Sequence, residues 1–182
     1  MAAFSRRSSR VGVVLPQGWR GDLEHLPQGE RFDAMVATAR EAEALGFDSV
    51  WLYDHFQRDG NTTFEAWTSL AAVARETTTV RLGQIVTCAL YRNGALLAKM
   101  AETLDAASRG RCVVGLGAGW DEAEYLAYGY PPPFPPVRDR LRHLEHVAGE
   151  LRRRRPELPL LIGGQGERVL LRLVAEHADA CN

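Results

Sequence analysis

Apolar and polar positions alternate along this chain in a strand-then-helix rhythm. Val11-Gly-Val-Val-Leu15 is a β-branched run stopped by Pro16 and reads as a first strand. Residues 17–29 are polar, carry Gly18, Gly21 and Pro27, and read as a loop. Phe32, Met35, Val36, Ala39, Ala42 and Leu45 recur at helical spacing, so a helix runs from Arg31 to Gly46, a natural stop. Ser49 to Tyr53 is the second strand, and 57–61 is a turn-rich loop. Thr62-Thr-Phe-Glu65 fits a capping box ahead of a helix whose apolar face is Trp67, Leu70, Ala71 and Ala74.

The rhythm continues to the end. Val80–Val86 is the third strand and Ala95–Ala107 the third helix, ended by Ser108-Arg-Gly110. Cys112–Leu116 is the fourth strand, Asp121–Tyr128 a short helix, and Pro131–Pro136 a stiff connector. A helix over Val137–Arg155, a strand over Leu158–Ile162 and a helix over Arg168–His177 follow. Asp179–Asn182 begins a sixth strand. Strands separated by helices mean a parallel sheet with right-handed crossovers. An open doubly wound sheet and a (β/α) barrel both fit. A complete eightfold barrel takes about 250 residues, whereas this chain has 182.

Composition narrows the class. Hydrophobic content of 46% and charged content of 25% describe a soluble globular domain, placed at 11–182 behind an Arg/Ser-rich lead-in at 1–10. The formal net charge of -1 argues against nucleic acid as a partner. No apolar stretch reaches the roughly 20 residues that span a bilayer, so no membrane partner is expected. Cys88, Cys112 and Cys181 lie far apart without metal or redox spacing, which points to free thiols and a cytoplasmic setting. Lys99 stands alone among 21 arginines, which reads as coding bias.

In parallel α/β folds the C-terminal ends of the strands carry the chemistry. Val50-Trp-Leu-Tyr-Asp54-His55 delivers an acid and an imidazole to such an end. Neighbours on a strand face opposite ways, so both reach one cleft only past the strand's end. His55 suits proton transfer near neutrality; the alternative is a capping Asp54 and a His55 filling a polar corner. Gly115-Leu-Gly117-Ala-Gly119 and Gly163-Gly-Gln-Gly166 each lie between a strand and a helix. Either they cradle a phosphate or they are tight turns. Trp120 replaces the last glycine of the dinucleotide fingerprint, which weighs against a nicotinamide-binding Rossmann fold. His143 and His146, three apart, read as a solvated helix face rather than metal ligands, and no metal site is expected. Arg152 to Arg155 read as helix-end cations. Trp51, Trp67 and Trp120 read as core.

Taken together, the segments resemble the bacterial luciferase-like family, and within it the deazaflavin (coenzyme F-420) dependent oxidoreductases. The matching stretches are Gly12-Val-Val-Leu-Pro-Gln17, Gly46-Phe-Asp-Ser-Val-Trp-Leu-Tyr-Asp-His55, Arg81-Leu-Gly-Gln-Ile-Val-Thr-Cys88 and Tyr91-Arg-Asn-Gly94. Leu97-Ala-Lys-Met-Ala-Glu-Thr-Leu-Asp105, Ser108-Arg-Gly-Arg111, Gly115-Leu-Gly-Ala-Gly-Trp120 and Leu161-Ile-Gly-Gly164 continue the match.

The resemblance implies a (β/α) barrel that binds coenzyme F-420, or FMN as the alternative, and transfers hydride to or from a small organic substrate or carries out flavin-dependent oxygen chemistry as a monooxygenase does. It implies that His55 lies near the reactive ring, with Asp54 as its neighbour or orienter. Ile85-Val86 matches a bulge that often holds a non-prolyl cis peptide, and Thr87 and Cys88 would flank the ring. Gly117, Ala118, Gly119, Gly163 and Gly164 match loops around the cofactor's phosphate tail. It also implies an insertion between Leu141 and Leu160 and further strand–helix units after Asn182. Without them the expectation is a partial barrel of five to six strands, its open edge completed by a second copy. The rival expectation is an inactive paralogue that serves as a flavin-binding or protein-interaction module.

Overall fold

A computed structural model describes residues 10–58 and 61–182. Apart from Arg10, the expected lead-in lies outside the described residues. The elements are β1 (Gly12–Val14), α1 (Arg31–Ala44), β2 (Ser49–Leu52), β3 (Gln57–Arg58), β4 (Asn61–Thr62), α2 (Ala66–Glu76), β5 (Arg81–Gln84) and β6 (Thr87–Cys88). They continue with α3 (Gly94–Ser108), β7 (Cys112–Gly117), α4 (Glu122–Ala127), α5 (Val137–Arg154), β8 (Leu160–Ile162), α6 (Val169–His177) and β9 (Ala180–Cys181). The main sheet is parallel throughout, in the order β1-β2-β5-β7-β8-β9, with β6 pairing β7. This is a partial (β/α) barrel in which each strand lies beside the next in sequence, apart from the small β3–β4 hairpin.

The two faces of the sheet differ because strand side chains alternate. Val50, Leu52, Leu82, Val114, Leu116, Leu160 and Ile162 form one face and are buried against the helices. The helices answer with Met35, Leu70, Val73, Leu97, Leu104, Leu144, Val147 and Leu173. On the other face Trp51 lies across small neighbours. A Cβ on Gly12 or on Gly83 would come within 2.5 Å of the indole, so only glycine leaves room for it. Its Nε1 donates to Ser49 Oγ at 2.8 Å.

Local signals explain most element ends. Gly46 (φ 82°) stops α1 in the left-handed conformation. Asn93 Oδ1 accepts from Ala95 N at 2.9 Å and caps α3. Glu43 at the end of α1 staples the turn before β5, accepting from the N–H groups of Thr78 at 2.8 Å and Val80 at 3.1 Å.

Three expectations change. The helix expected behind a Thr62 cap starts at Ala66, with Glu65 itself as N-cap, accepting from Trp67 N at 3.1 Å and Thr68 N at 2.7 Å. The loop at 57–61 holds the first strand of the β3–β4 hairpin, whose short polar strands carry no apolar alternation to betray them. The strand expected over 80–86 is interrupted at Ile85–Val86, whose peptide is cis as the resemblance implied. Among the described residues no helix is long and apolar enough to cross a membrane.

Candidate active site

The site lies where β2, β5, β6, β7 and β8 end. Gln17, buried in the loop after β1, braces the end of β2: its Nε2 donates to Tyr53 O at 2.8 Å and its Oε1 accepts from Tyr53 N at 2.9 Å. The next two residues then part company. Asp54 is 3% exposed. Its carboxylate takes the Arg92 fork at 2.6 and 2.8 Å and the Cys88 N–H at 2.9 Å. Burial raises the Asp54 carboxyl, against the lowering by Arg92 and by the Cys88 N–H. The Arg92 guanidinium is raised: burial lowers it, but Asp54 and Glu65 outweigh that loss.

His55 turns the other way. Its ring stacks on Trp19 at 4.4 Å and 9°, and Trp120 meets it edge-on at 5.5 Å. Its Nδ1 lies 2.9 Å from Glu124 Oε2. Asp54 is therefore not the orienter of His55; Glu124, 69 residues along the chain, holds that place. Glu124 is 2% exposed and also accepts from Phe56 N at 2.6 Å, Gln57 N at 3.0 Å and Tyr91 Oη at 2.7 Å. Burial pushes its carboxyl up, but these four partners outweigh burial and hold it below the ordinary value. Glu124 is thus an acceptor-only carboxylate, so His55 Nδ1 carries the proton it shares with it. The ring's Nε2 is the nitrogen that Glu124 does not hold.

Two cavities meet beside this pair. One of about 210 Å³ is bordered by Tyr53, Asp54, His55, Ile85, Cys88 and Tyr91 among others. The other, of about 770 Å³, is bordered by Ala118, Leu141, Gly163, Gly164, Gln165 and Leu170 among others. Val86, Gly117, Gly119 and Trp120 belong to both walls. A Cβ on Gly117 would lie 2.5 Å from Val86 Cγ2, and one on Gly163 2.8 Å from Val86 Cγ1, so the backbone forms the floor there.

The predicted set is thus brought together, apart from Thr87. Thr87 is fully buried and borders neither cavity, because it points opposite to Cys88. Burial pushes the Cys88 thiol up to about 12, which keeps it protonated and a packing group. Trp120, expected in the core, is 65% exposed at the junction of the cavities, whereas Trp67 is buried. Trp19, Arg20 and Glu124 went unread. The first two sit in a loop without periodicity. A glutamate in a helix's first turn ordinarily complements the dipole.

His55, Asp121 and Glu124 offer ligand atoms within 4.8 Å of one another. Glu124 serves four donors and Asp121 Oδ1 the α4 cap at Glu124 N, so hydrogen bonding accounts for the cluster. His143 Nε2 contacts Ala89 O at 3.1 Å, a packing role.

A parallel sheet with an imidazole–carboxylate pair and a glycine-floored groove on its C-terminal rim is the working end of a (β/α)-barrel protein. The chain belongs to the luciferase-like monooxygenase family, whose sequence profile matches residues 9–181. It is 34% identical over 145 residues to an F420-dependent glucose-6-phosphate dehydrogenase of Intrasporangium calvum, covering 77% of this chain and 42% of that protein. It is 38% identical over 117 residues to an F420-dependent hydroxymycolic acid dehydrogenase of Mycobacterium tuberculosis, covering 62% and 29%. A solved F420-dependent secondary alcohol dehydrogenase, in complex with an F420–acetone adduct, shares the fold with a TM-score of 0.77 at 23% identity. That match covers 94% of this chain and 57% of the other. The chain thus spans less than half the length of these two curated relatives.

Proposed function

We propose that this chain binds a deazaflavin of the coenzyme F-420 type and serves hydride transfer to or from a small organic substrate. The observation that carries the reading is the junction of the two cavities along Val86, Gly117 and Gly119, with His55 bordering one and the glycine loops the other. The residues present fit such a cofactor. The groove has apolar walls for a flat ring and bare backbone where a Cβ would intrude. Two relatives whose names specify F420 support the deazaflavin. FMN is the second reading, favoured by the family's description as monooxygenases.

When bound, the cofactor supplies the ring that accepts or delivers hydride. Ile85, Val86, Cys88 and Trp120 would hold the ring. Gly117, Ala118, Gly119, Gly163 and Gly164 present backbone to the phosphate-bearing tail. His55 holds or releases a proton at Nε2 on the substrate, and Glu124 fixes the tautomer and the ring's direction.

The test is titration of the purified chain with coenzyme F-420 and with FMN, followed by turnover assays. Saturable binding of either supports the reading. Binding without turnover moves the chain to the rival role, a flavin-binding module without catalysis. No binding by a folded chain overturns the reading.

Three coarser expectations belong with it. Residues 11–182 form one folding unit, the setting is cytoplasmic, and a second copy completes the open edge. Exposed Val11 and Val14 beside the β1 edge support the last. A monomer by light scattering would refute it.

A further inference from the structure

The rim carries a second polar feature that the hydride-transfer reading leaves unused. Arg20 is exposed, and its guanidinium carbon lies 5.1 Å from the Tyr53 ring centre and 5.7 Å from that of Trp19. Trp19 is the ring on which His55 stacks. Arg20 and His55 border the same 210 Å³ cavity, and Arg20 also borders an adjoining one of about 300 Å³.

The acid on that second wall makes no ion pair with the arginine. Asp22 Oδ2 accepts from Gln17 N at 2.9 Å, and its Oδ1 accepts from Gly18 N at 3.0 Å and Arg20 N at 3.2 Å. It therefore shapes the loop and leaves the guanidinium alone. The other acids of the smaller cavity are committed too: Asp54 to Arg92, and Asp121 to the α4 cap. Among the described residues, the Arg20 guanidinium rests against two ring faces.

A guanidinium laid on aromatic faces keeps its donors free at the edges, and those edges match a carboxylate or phosphate in two-point fashion. Resting on the proposed reading of the site, we propose that Arg20 is a specificity-determining residue. It holds the oxyanion group, carboxylate or phosphate, of a small substrate whose reacting carbon faces His55. The Trp19 ring sets the spacing between the two groups.

The test is titration of the full chain with inorganic phosphate and, separately, acetate. Chloride is used to match ionic strength, and tryptophan emission is read because Trp19 adjoins Arg20. A saturable change with at least one anion is expected, and Arg20→Gln should raise its midpoint at least tenfold while circular dichroism stays unchanged. Which anion saturates first distinguishes a carboxylate from a phosphate substrate. No saturable change with either anion, or an equal midpoint in Arg20→Gln, overturns the inference. Coenzyme F-420 binding measured on the same samples separates the two claims. Cofactor binding without an anion response sinks only the role of Arg20. An Arg20-dependent anion response without cofactor binding sinks only the hydride-transfer reading.

Discussion

The two halves of the rim are built in opposite ways. On the β2 side the groups behind the rim are tied down: Gln17 to Tyr53, Asp54 to Arg92, Arg92 to Glu65, and Glu124 to His55, Tyr91, Phe56 and Gln57. An aromatic layer of Phe56, Tyr91, Tyr125 and Tyr130 backs it, with rings 4.8 to 5.1 Å apart. On the β8 side Gly163, Gly164 and Gly166 border a cavity more than three times as large, walled mainly by apolar side chains and bare backbone. The tied half fixes where one nitrogen points. The open half leaves room for a long ligand. Proton transfer needs the first property and cofactor binding the second.

The largest effect should come from unpairing the tied half. Asp54→Ala leaves the buried Arg92 charge with only the partly exposed Glu65, and should cost about 3–5 kcal/mol of stability, read by urea denaturation. A loss below about 1 kcal/mol would mean that Arg92 finds water and that this half is not rigid. Next comes His55→Ala. Its fold should survive, while turnover with bound cofactor falls roughly 10²- to 10⁴-fold. Unchanged turnover would remove His55 from the chemistry.

Glu124→Gln is the sharper probe, because it keeps the size and removes the charge. It should cost about 1–3 kcal/mol through its lost charged hydrogen bonds. It should also shift the pH profile of turnover, since a glutamine can meet either tautomer of His55. A merely structural glutamate would leave that profile unmoved. The pH dependence has a definite sign. The folded Glu124 carboxyl lies below its ordinary 4.5, so its contribution is present above that value and is lost as pH falls through the lowered one.

Glu43, far from the site, gives the smallest effect. Burial raises its carboxyl, yet the N–H groups of Thr79, Thr78 and Val80 hold it at about 2. Its stabilisation is present above 4.5 and disappears as pH drops through about 2. Glu43→Gln should lose about 1 kcal/mol at pH 7, given the solvent around it. The gap to wild type should shrink as the melting experiment moves toward pH 2.

How much of this is legible in the sequence follows the same division. Apart from β6, the main-sheet strands could be read as apolar runs and the helices from the period that burial imposes: Met35, Ala39 and Ala42 on α1, or Leu144, Val147 and Leu151 on α5. The cis peptide at Ile85–Val86 came from resemblance alone. The placement of His55 at a strand's end was readable from Val50 to Tyr53, but its partner was not, because Glu124 reaches it across 69 residues of chain. For Asp54 the sequence left neighbour and orienter both open, because its partner Arg92 lies 38 residues along the chain and no local pattern shows the pair. Trp19 and Arg20 sit in a loop whose course depends on Asp22 binding three backbone N–H groups, a pattern that leaves no periodic trace.

The central claim is that the open half accepts a deazaflavin beside His55. It is tested most directly by titrating wild type, Gly163→Ala and His55→Ala with coenzyme F-420 while following tryptophan emission. The account predicts saturable one-to-one binding to wild type, affinity within about threefold for His55→Ala, and at least tenfold weaker binding for a folded Gly163→Ala, whose added Cβ would press within 2.8 Å of Val86. A folded wild-type chain that binds no cofactor, or a Gly163→Ala variant that binds as well as wild type, would contradict it.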